Sequence, residues 1–181
     1  MKREKFILSS LLAIPAVSFA KFKNFIRPDK AFKVEAGKDR FDEEFSYKSN
    51  RYLLKVSGKD TDGDLCIFYT IRTKLGGPLA HLHYSQDEWF FVIKGEYVFH
   101  VGDQTYNLKQ GDSLFGPRKV PHAFAQVNDG EGILMLTFQP AGAIEGFFAE
   151  ARTLVNPTQE ESQKLFKKYE MELVGPALQV K

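Results

Sequence analysis

Between Tyr52 and Gln139 the chain is a series of short runs rich in apolar and β-forming residues, and each run ends within a few residues at turn-forming ones. This pattern predicts strands near 52–57, 65–73, 88–94, 96–101, 104–108, 112–116, 122–127 and 132–139. The breaks are Asp62-Gly63-Asp64, Gly76-Gly77-Pro78, Lys94-Gly95, Gly102-Asp103, Gln110-Gly111-Asp112 and Asn128-Asp129-Gly130, residues that supply turn geometry. Many short strands at such spacing argue for an all-β sandwich or barrel.

After Gln139 the pattern changes. Ile144, Phe147, Phe148, Ala151 and Leu154 share one face at helical spacing, which predicts a helix from about Ala143 to Leu154. A second helix is expected to start with Asn156 as N-cap, Pro157 in first position and Gln159 three residues after the cap. It carries Leu165, Phe166 and Tyr169 on its apolar side and is expected to stop before Gly175-Pro176. Two helices this aromatic need a surface, either the outside of the barrel or its mouth, where they would narrow access.

The first twenty residues follow another pattern. Lys2, Arg3 and Lys5 precede an apolar run from Phe6 to Ala20 that ends in Ser18-Phe19-Ala20, the layout of a secretory signal peptide. The run is short and interrupted by Ser9, Ser10 and Pro15, so no stable membrane span is expected after cleavage. An uncleaved anchor or a buried amphipathic helix is the plainer alternative. The expected organisation is a signal peptide over 1–20, an N-terminal arm over 21–50, a barrel over 51–142 and a helical segment over 143–181 packed on it. The expected location is exported, in a bacterial periplasm or secreted.

Charge excludes one class of partner. The formal charge is +2 over 181 residues, and without Lys2, Arg3, Glu4 and Lys5 the balance is even, so no nucleic-acid partner is expected. The basic cluster from Lys21 to Arg40 is offset by Asp42, Glu43 and Glu44 and reads as a solvated arm. The single Cys66 cannot form an internal disulfide and reads as a small core residue.

The candidate chemistry lies between Gly76 and Gly95 and again at His122. His81 and His83, two apart in a strand, can reach one point. A tight turn through Tyr84-Ser85-Gln86-Asp87 would bring Glu88 back on the next strand, and His122 begins the run His122-Ala123-Phe124-Ala125-Gln126. Three imidazoles with one carboxylate suit one divalent transition metal, Fe, Mn, Co, Ni, Cu or Zn, and leave positions for water or substrate. His100, between Phe99 and Val101, reads as a surface or interface histidine outside that set.

These residues resemble both motifs of the cupin superfamily. His81, His83, Glu88 and Gly95 match the first, with Gly76 one residue nearer to the first histidine than the pattern asks. Gly111, Pro117 and His122 match the second, where Lys119 stands in place of a glycine and Gln126 in place of an asparagine. The resemblance covers roughly residues 50 to 140 and implies a double-stranded β-helix, the jelly-roll cupin barrel, with two C-terminal helices and a metal inside on His81, His83, Glu88 and His122. Gly76-Gly77-Pro78, Asp87-Glu88-Trp89-Phe90, Lys94-Gly95-Glu96, Gly111-Asp112-Ser113, Pro117-Arg118, Val120-Pro121-His122 and Gln139-Pro140-Ala141-Gly142, with the tail Tyr169 to Leu178, look like the single-domain quercetin-2,3-dioxygenase-like cupins.

That resemblance implies an oxidoreductase of dioxygenase type on an aromatic, flavonol-like or enediol small molecule, with Glu88 both ligand and proton acceptor, and a homodimer. Phe90, Tyr97, Phe99 and Phe124 are candidates to line the substrate pocket, against a plain reading as barrel core. Gln126 would face a metal-bound water. Two other functions stay open: a non-redox isomerase, epimerase or lyase, which would need polar side chains such as Gln126, Tyr106 and Arg118 near the metal, and a non-catalytic metal- or ligand-binding module.

Overall fold

The computed structural model describes residues 27–43, 45–47 and 50–180. The expected signal peptide and residues 21–26 of the arm lie outside the described residues.

The strands are β1 (Phe45–Tyr47), β2 (Asn50–Val56), β3 (Cys66–Arg72), β4 (Leu79–His83), β5 (Asp87–Lys94), β6 (Glu96–Val101), β7 (Gln104–Lys109), β8 (Ser113–Gly116), β9 (His122–Gln126) and β10 (Gly132–Gln139). Helices α1 (Ile144–Ala151) and α2 (Gln159–Lys168) and a last strand β11 (Met171–Ala177) follow. Pairing is antiparallel in two sheets, ordered β1-β2-β3-β10-β5-β8 and β11-β4-β9-β6-β7. Together they form an all-β jelly-roll barrel with two helices near its C-terminus.

The period of two decides what faces the interior. On β5 Glu88, Phe90 and Val92 are buried while Trp89 and Phe91 are exposed, and on β6 Tyr97 and Phe99 point inward. All five residues of β9 are buried, since it lies between β4 and β6. Phe90, Phe99 and Phe124 pack ring to ring, with centroids 4.8 to 5.7 Å apart, and each buried ring contributes about 2 kcal/mol from area alone.

The structure departs from expectation at both ends. Strand β1 precedes the expected ones, and the arm is mostly exposed but not simply solvated. The buried Asp39 carboxylate accepts from the backbone N–H of Leu54 at 2.6 Å and of Phe41 at 2.9 Å, fastening the arm to β2.

At the other end α1 stops at Ala151, short of Leu154. Thr158, not Asn156, caps α2: its Oγ1 accepts from Glu161 N at 3.2 Å, and Glu161 Oε2 accepts from Thr158 N at 2.8 Å. This reciprocal box satisfies two otherwise orphaned donors. Asn156, with φ of 50°, makes the left-handed turn before it, a conformation asparagine tolerates.

The segment expected to stay helical to Gly175 turns back at Glu170, φ 58°, and becomes β11 beside β4. Met171 stands opposite His83 and Leu173 opposite His81. Pro176 is accommodated because β11 is an edge strand.

Candidate metal centre

His81 and His83 project from the end of β4, Glu88 from the start of β5 and His122 from the start of β9. The register places His81 directly opposite His122. One ligand-type atom from each of the four falls within 4.8 Å of all the others, and all four residues are buried. Glu88 Oε2 lies 3.1 Å from His122 Nε2 and 3.4 Å from His83 Nε2.

The far nitrogen of each ring faces an acceptor. His81 Nδ1 lies 2.8 Å from the Leu79 carbonyl, and His122 Nδ1 lies 3.1 Å from the Val120 carbonyl. A carbonyl only accepts, so each Nδ1 carries its proton and each Nε2 presents a lone pair inward. His83 Nδ1 makes a longer 3.4 Å contact with Gln86 Oε1, whose amide nitrogen donates to the Ala141 carbonyl at 2.6 Å. Gln86 sits between the ligands in sequence, and its role as support for His83 was legible only as a turn position.

Burial first, and then the neighbouring His122 and His83, lower the His81 pKa to about 3. Burial by itself would raise the Glu88 pKa, but His122 and His83 beside the carboxylate outweigh it and hold it at about 2. Neutral imidazole and ionised carboxylate are the forms that ligate metals. His83 Nε2 is buried with no hydrogen-bond partner, a cost that a cation among the four would remove. The donor set of three imidazole nitrogens and one carboxylate fits a divalent transition metal.

A cavity of about 190 Å³ leads to His81, His83 and Glu88. Its walls include Phe124, Leu136, Phe138 and Met171, and α1 and α2 add Phe147, Phe148 and Phe166. Phe166 packs against the His81 ring at 5.5 Å, and Phe148 against Tyr52 at 4.8 Å. Of the pocket candidates, Phe124 lines the cavity. Phe90, Tyr97 and Phe99 are 1% exposed or less and belong to the aromatic core beside it. Phe90 packs edge-on against His122 at 5.9 Å.

Gln126 does not face the centre, because its amide donates to the Asn128 and Gly130 carbonyls at 3.0 and 2.8 Å and ties down the turn before β10. Arg118 lies outside as well, exposed and paired with Asp87 at 2.6 Å, and Tyr106 and His100 are exposed. The polar residues that do line the cavity include Asn50, Tyr52, Arg72 and Lys74. Arg72 could have been found from parity, since it shares the inward face of β3 with Cys66, Phe68 and Thr70. Asn50 carries no such local signal, whereas the helix aromatics were legible as apolar faces that need a surface.

Residues 69–138 match the family model described as Cupin domain. An uncharacterized protein of Methanocaldococcus jannaschii is 26% identical over 51 residues, 28% of this chain and 41% of that protein, so the chain matches less than half the length of that relative. Among solved structures, KdgF from Halomonas sp. is similar at 15% identity over 59% of this chain and 94% of that one, with a TM-score of 0.46. Pac13 of Streptomyces, described as a nucleoside dehydratase, is similar at 14% identity over 62% and 84%, with a TM-score of 0.49. A predicted oxalate decarboxylase of Thermotoga maritima is similar at 16% identity over 50% and 80%, with a TM-score of 0.46.

Proposed function

We propose that the protein, whose residues 69–138 match the Cupin domain model, is a metal-dependent enzyme of dioxygenase type acting on a small aromatic or enediol molecule. The observation that carries this reading is the arrangement at the cavity's inner end, where three imidazoles and one ionised carboxylate converge beneath aromatic walls. His81, His83, Glu88 and His122 would hold the metal. A divalent transition metal there supplies Lewis acidity and a common anchor for substrate and O2.

The protein's own groups do the rest. Glu88 is placed to take a proton from a substrate hydroxyl. While His122 and His83 sit against it the carboxylate is a weak base; moved away from them, it feels burial unopposed and its proton affinity rises. Phe147, Phe148 and Phe166 keep water from the reacting centre. The test is O2 consumption by metal-replete protein, each metal in turn, over a panel of phenols, flavonols and enediols. Sustained uptake supports the reading, and no uptake with any pairing counts against it.

A second reading, a non-redox isomerase, epimerase or lyase, is favoured by the polar group Asn50, Tyr52 and Arg72 in the same cavity. Conversion of a sugar acid or small acid without O2 would select it. Export is supported by the basic, apolar and small-residue order of residues 1–20, and the intact mass of protein from the host envelope tests it. A homodimer is supported by exposed Trp89 and Phe115, cross-strand partners beside the β8 edge, and sedimentation velocity tests that.

A further inference from the structure

Arg72 ends β3 on its inward parity and is only 4% exposed. Its guanidinium donates from one terminal nitrogen to the Gly76 carbonyl at 3.1 Å and hydrogen-bonds the Tyr52 hydroxyl, and it lies 5.2 Å from the Phe124 ring centroid. The Nε–H is buried with no partner, and among the described residues no carboxylate is ion-paired with this guanidinium. Buried arginines are ordinarily paired with an anion, because an uncompensated charge in a low-dielectric interior is costly.

Among the described residues the cavity lining supplies no such anion. Its one described carboxylate is Glu88, engaged by His122 and His83, while the exposed Lys74 adds a second cation to the lining. The nearby phenols stay neutral: burial raises the Tyr52 pKa, with Arg72 and Glu88 acting in opposite senses, and burial pushes Tyr47 up to about 12. The space therefore carries a net positive field at one wall and apolar rings on the others, a combination that selects anions with an apolar body.

We propose that Arg72 anchors an anionic ligand in this cavity, and that the substrate class is a small carboxylate with an apolar body of about one ring. The inference rests on reading the cavity as the substrate site. A guanidinium fork matches the two oxygens of a carboxylate. A volume of about 190 Å³ is below the roughly 300–1,000 Å³ typical of sites for drug-sized ligands, which favours one ring over a three-ring flavonol. Anchoring at Arg72 would hold the body of the ligand between Phe124 and the helix aromatics, with its far end toward His81 and Glu88.

The test uses the full chain and two probes of equal shape, benzoate and its neutral amide benzamide, titrated calorimetrically into metal-free and metal-replete protein at neutral pH. In metal-free parent, benzoate is expected to bind at least about tenfold tighter than benzamide, since a charge-assisted pair is stronger than a neutral one. R72Q is expected to bring the two within about twofold while taking up metal like the parent by elemental analysis. Equal affinities in the metal-free parent, no measurable benzoate binding, or an unchanged preference in R72Q would overturn the proposal. Should R72Q fail to fold, the comparison of probes on the parent decides by itself. Failure of the parent to take up any metal would overturn the enzymatic reading and leave the benzoate preference intact, so the two failures are distinguishable.

Discussion

His122 Nε2 and Glu88 Oε2 meet 3.1 Å apart in the barrel interior although 34 positions separate them in the chain and they belong to different sheets. Each wall thus contributes to one centre, His81, His83 and His122 from one sheet and Glu88 from the other. The double variant His81→Ala/His122→Ala is expected to retain no metal after dialysis where the parent retains about one per chain. Removing groups that merely support ligands typically costs 10–100-fold in metal affinity, so Glu88→Gln should cost at least about a hundredfold. Elemental analysis with metal competition measures both, and a variant holding metal like the parent would sink the assignment.

The metal-free protein should weaken in acid in two stages. His81 titrates near 3 when folded and near 6.5 when unfolded, so between those values the unfolded chain binds more protons and stability falls as pH drops. Glu88, about 2 when folded against 4.5 when unfolded, contributes stability that is present above 4.5 and lost on the way down to 2. Each unit of difference is about 1.4 kcal/mol, so His81 alone accounts for several kcal/mol at most. Urea midpoints of chelated protein should therefore fall below about pH 6.5, with a shallower fall in His81→Gln. Midpoints that stay level down to pH 4 would contradict the electrostatic account.

Gly77 is required by a close approach. A Cβ there would stand 1.5 Å from the Phe124 carbonyl oxygen, on the strand that carries His122, while neighbouring Gly76 exchanges backbone hydrogen bonds with Gln126 at 3.1 and 3.0 Å. Gly77→Ala must push the 76–78 turn off β9, and a loss above about 3 kcal/mol is expected. Thermal melting reads it directly.

Lys119 has the opposite prospect. It adopts φ of 64°, the left-handed conformation a glycine takes easily, and its N–H donates to the His83 carbonyl at 2.7 Å. Lys119→Gly removes about 1–2 kcal/mol of backbone strain against about 0.4–1 kcal/mol of added unfolded-state entropy. The net is a gain of about 0.5–1 kcal/mol, or a rise of roughly 2–3 °C in Tm for a chain of this size, with metal content unchanged. A lower Tm would show that the lysine side chain does something the backbone argument misses.

Cys66 is fully buried in the aromatic core, and burial pushes its thiol pKa well up. A disulfide reagent should leave the native protein unlabelled over hours and label one thiol per chain at once in denaturant. Labelling at the same rate in both would mean that the core opens far more readily than its packing suggests.

How much of this could be read along the chain follows from the range of each interaction. Strand parity on β5 and β6 and the four ligand-type residues were legible because period two and motif spacing are local, and the turn through 84–86 leaves Glu88 facing the barrel interior as expected. The cap of α2 lies two residues beyond the expected Asn156: Asn156-Pro157 and Thr158 with Glu161 both carry start signals, and only the backbone turn at Asn156 separates them. Gln126 is buried, but at the far end of β9 its amide donates to two loop carbonyls and not toward the centre.

The sequence by itself therefore determined an all-β barrel, its punctuation and the His81, His83, Glu88 and His122 set as candidates, because strand parity, turn residues and motif spacing are local. Only the tertiary structure decided what surrounds that set. Strand β11 lies beside β4, Phe147, Phe148 and Phe166 join the cavity lining, and Arg72 stands buried without a carboxylate partner among the described residues, because each of these depends on register between segments tens of residues apart. Local periodicity states which side of a strand a residue occupies, and the packing of the whole barrel states what it meets there.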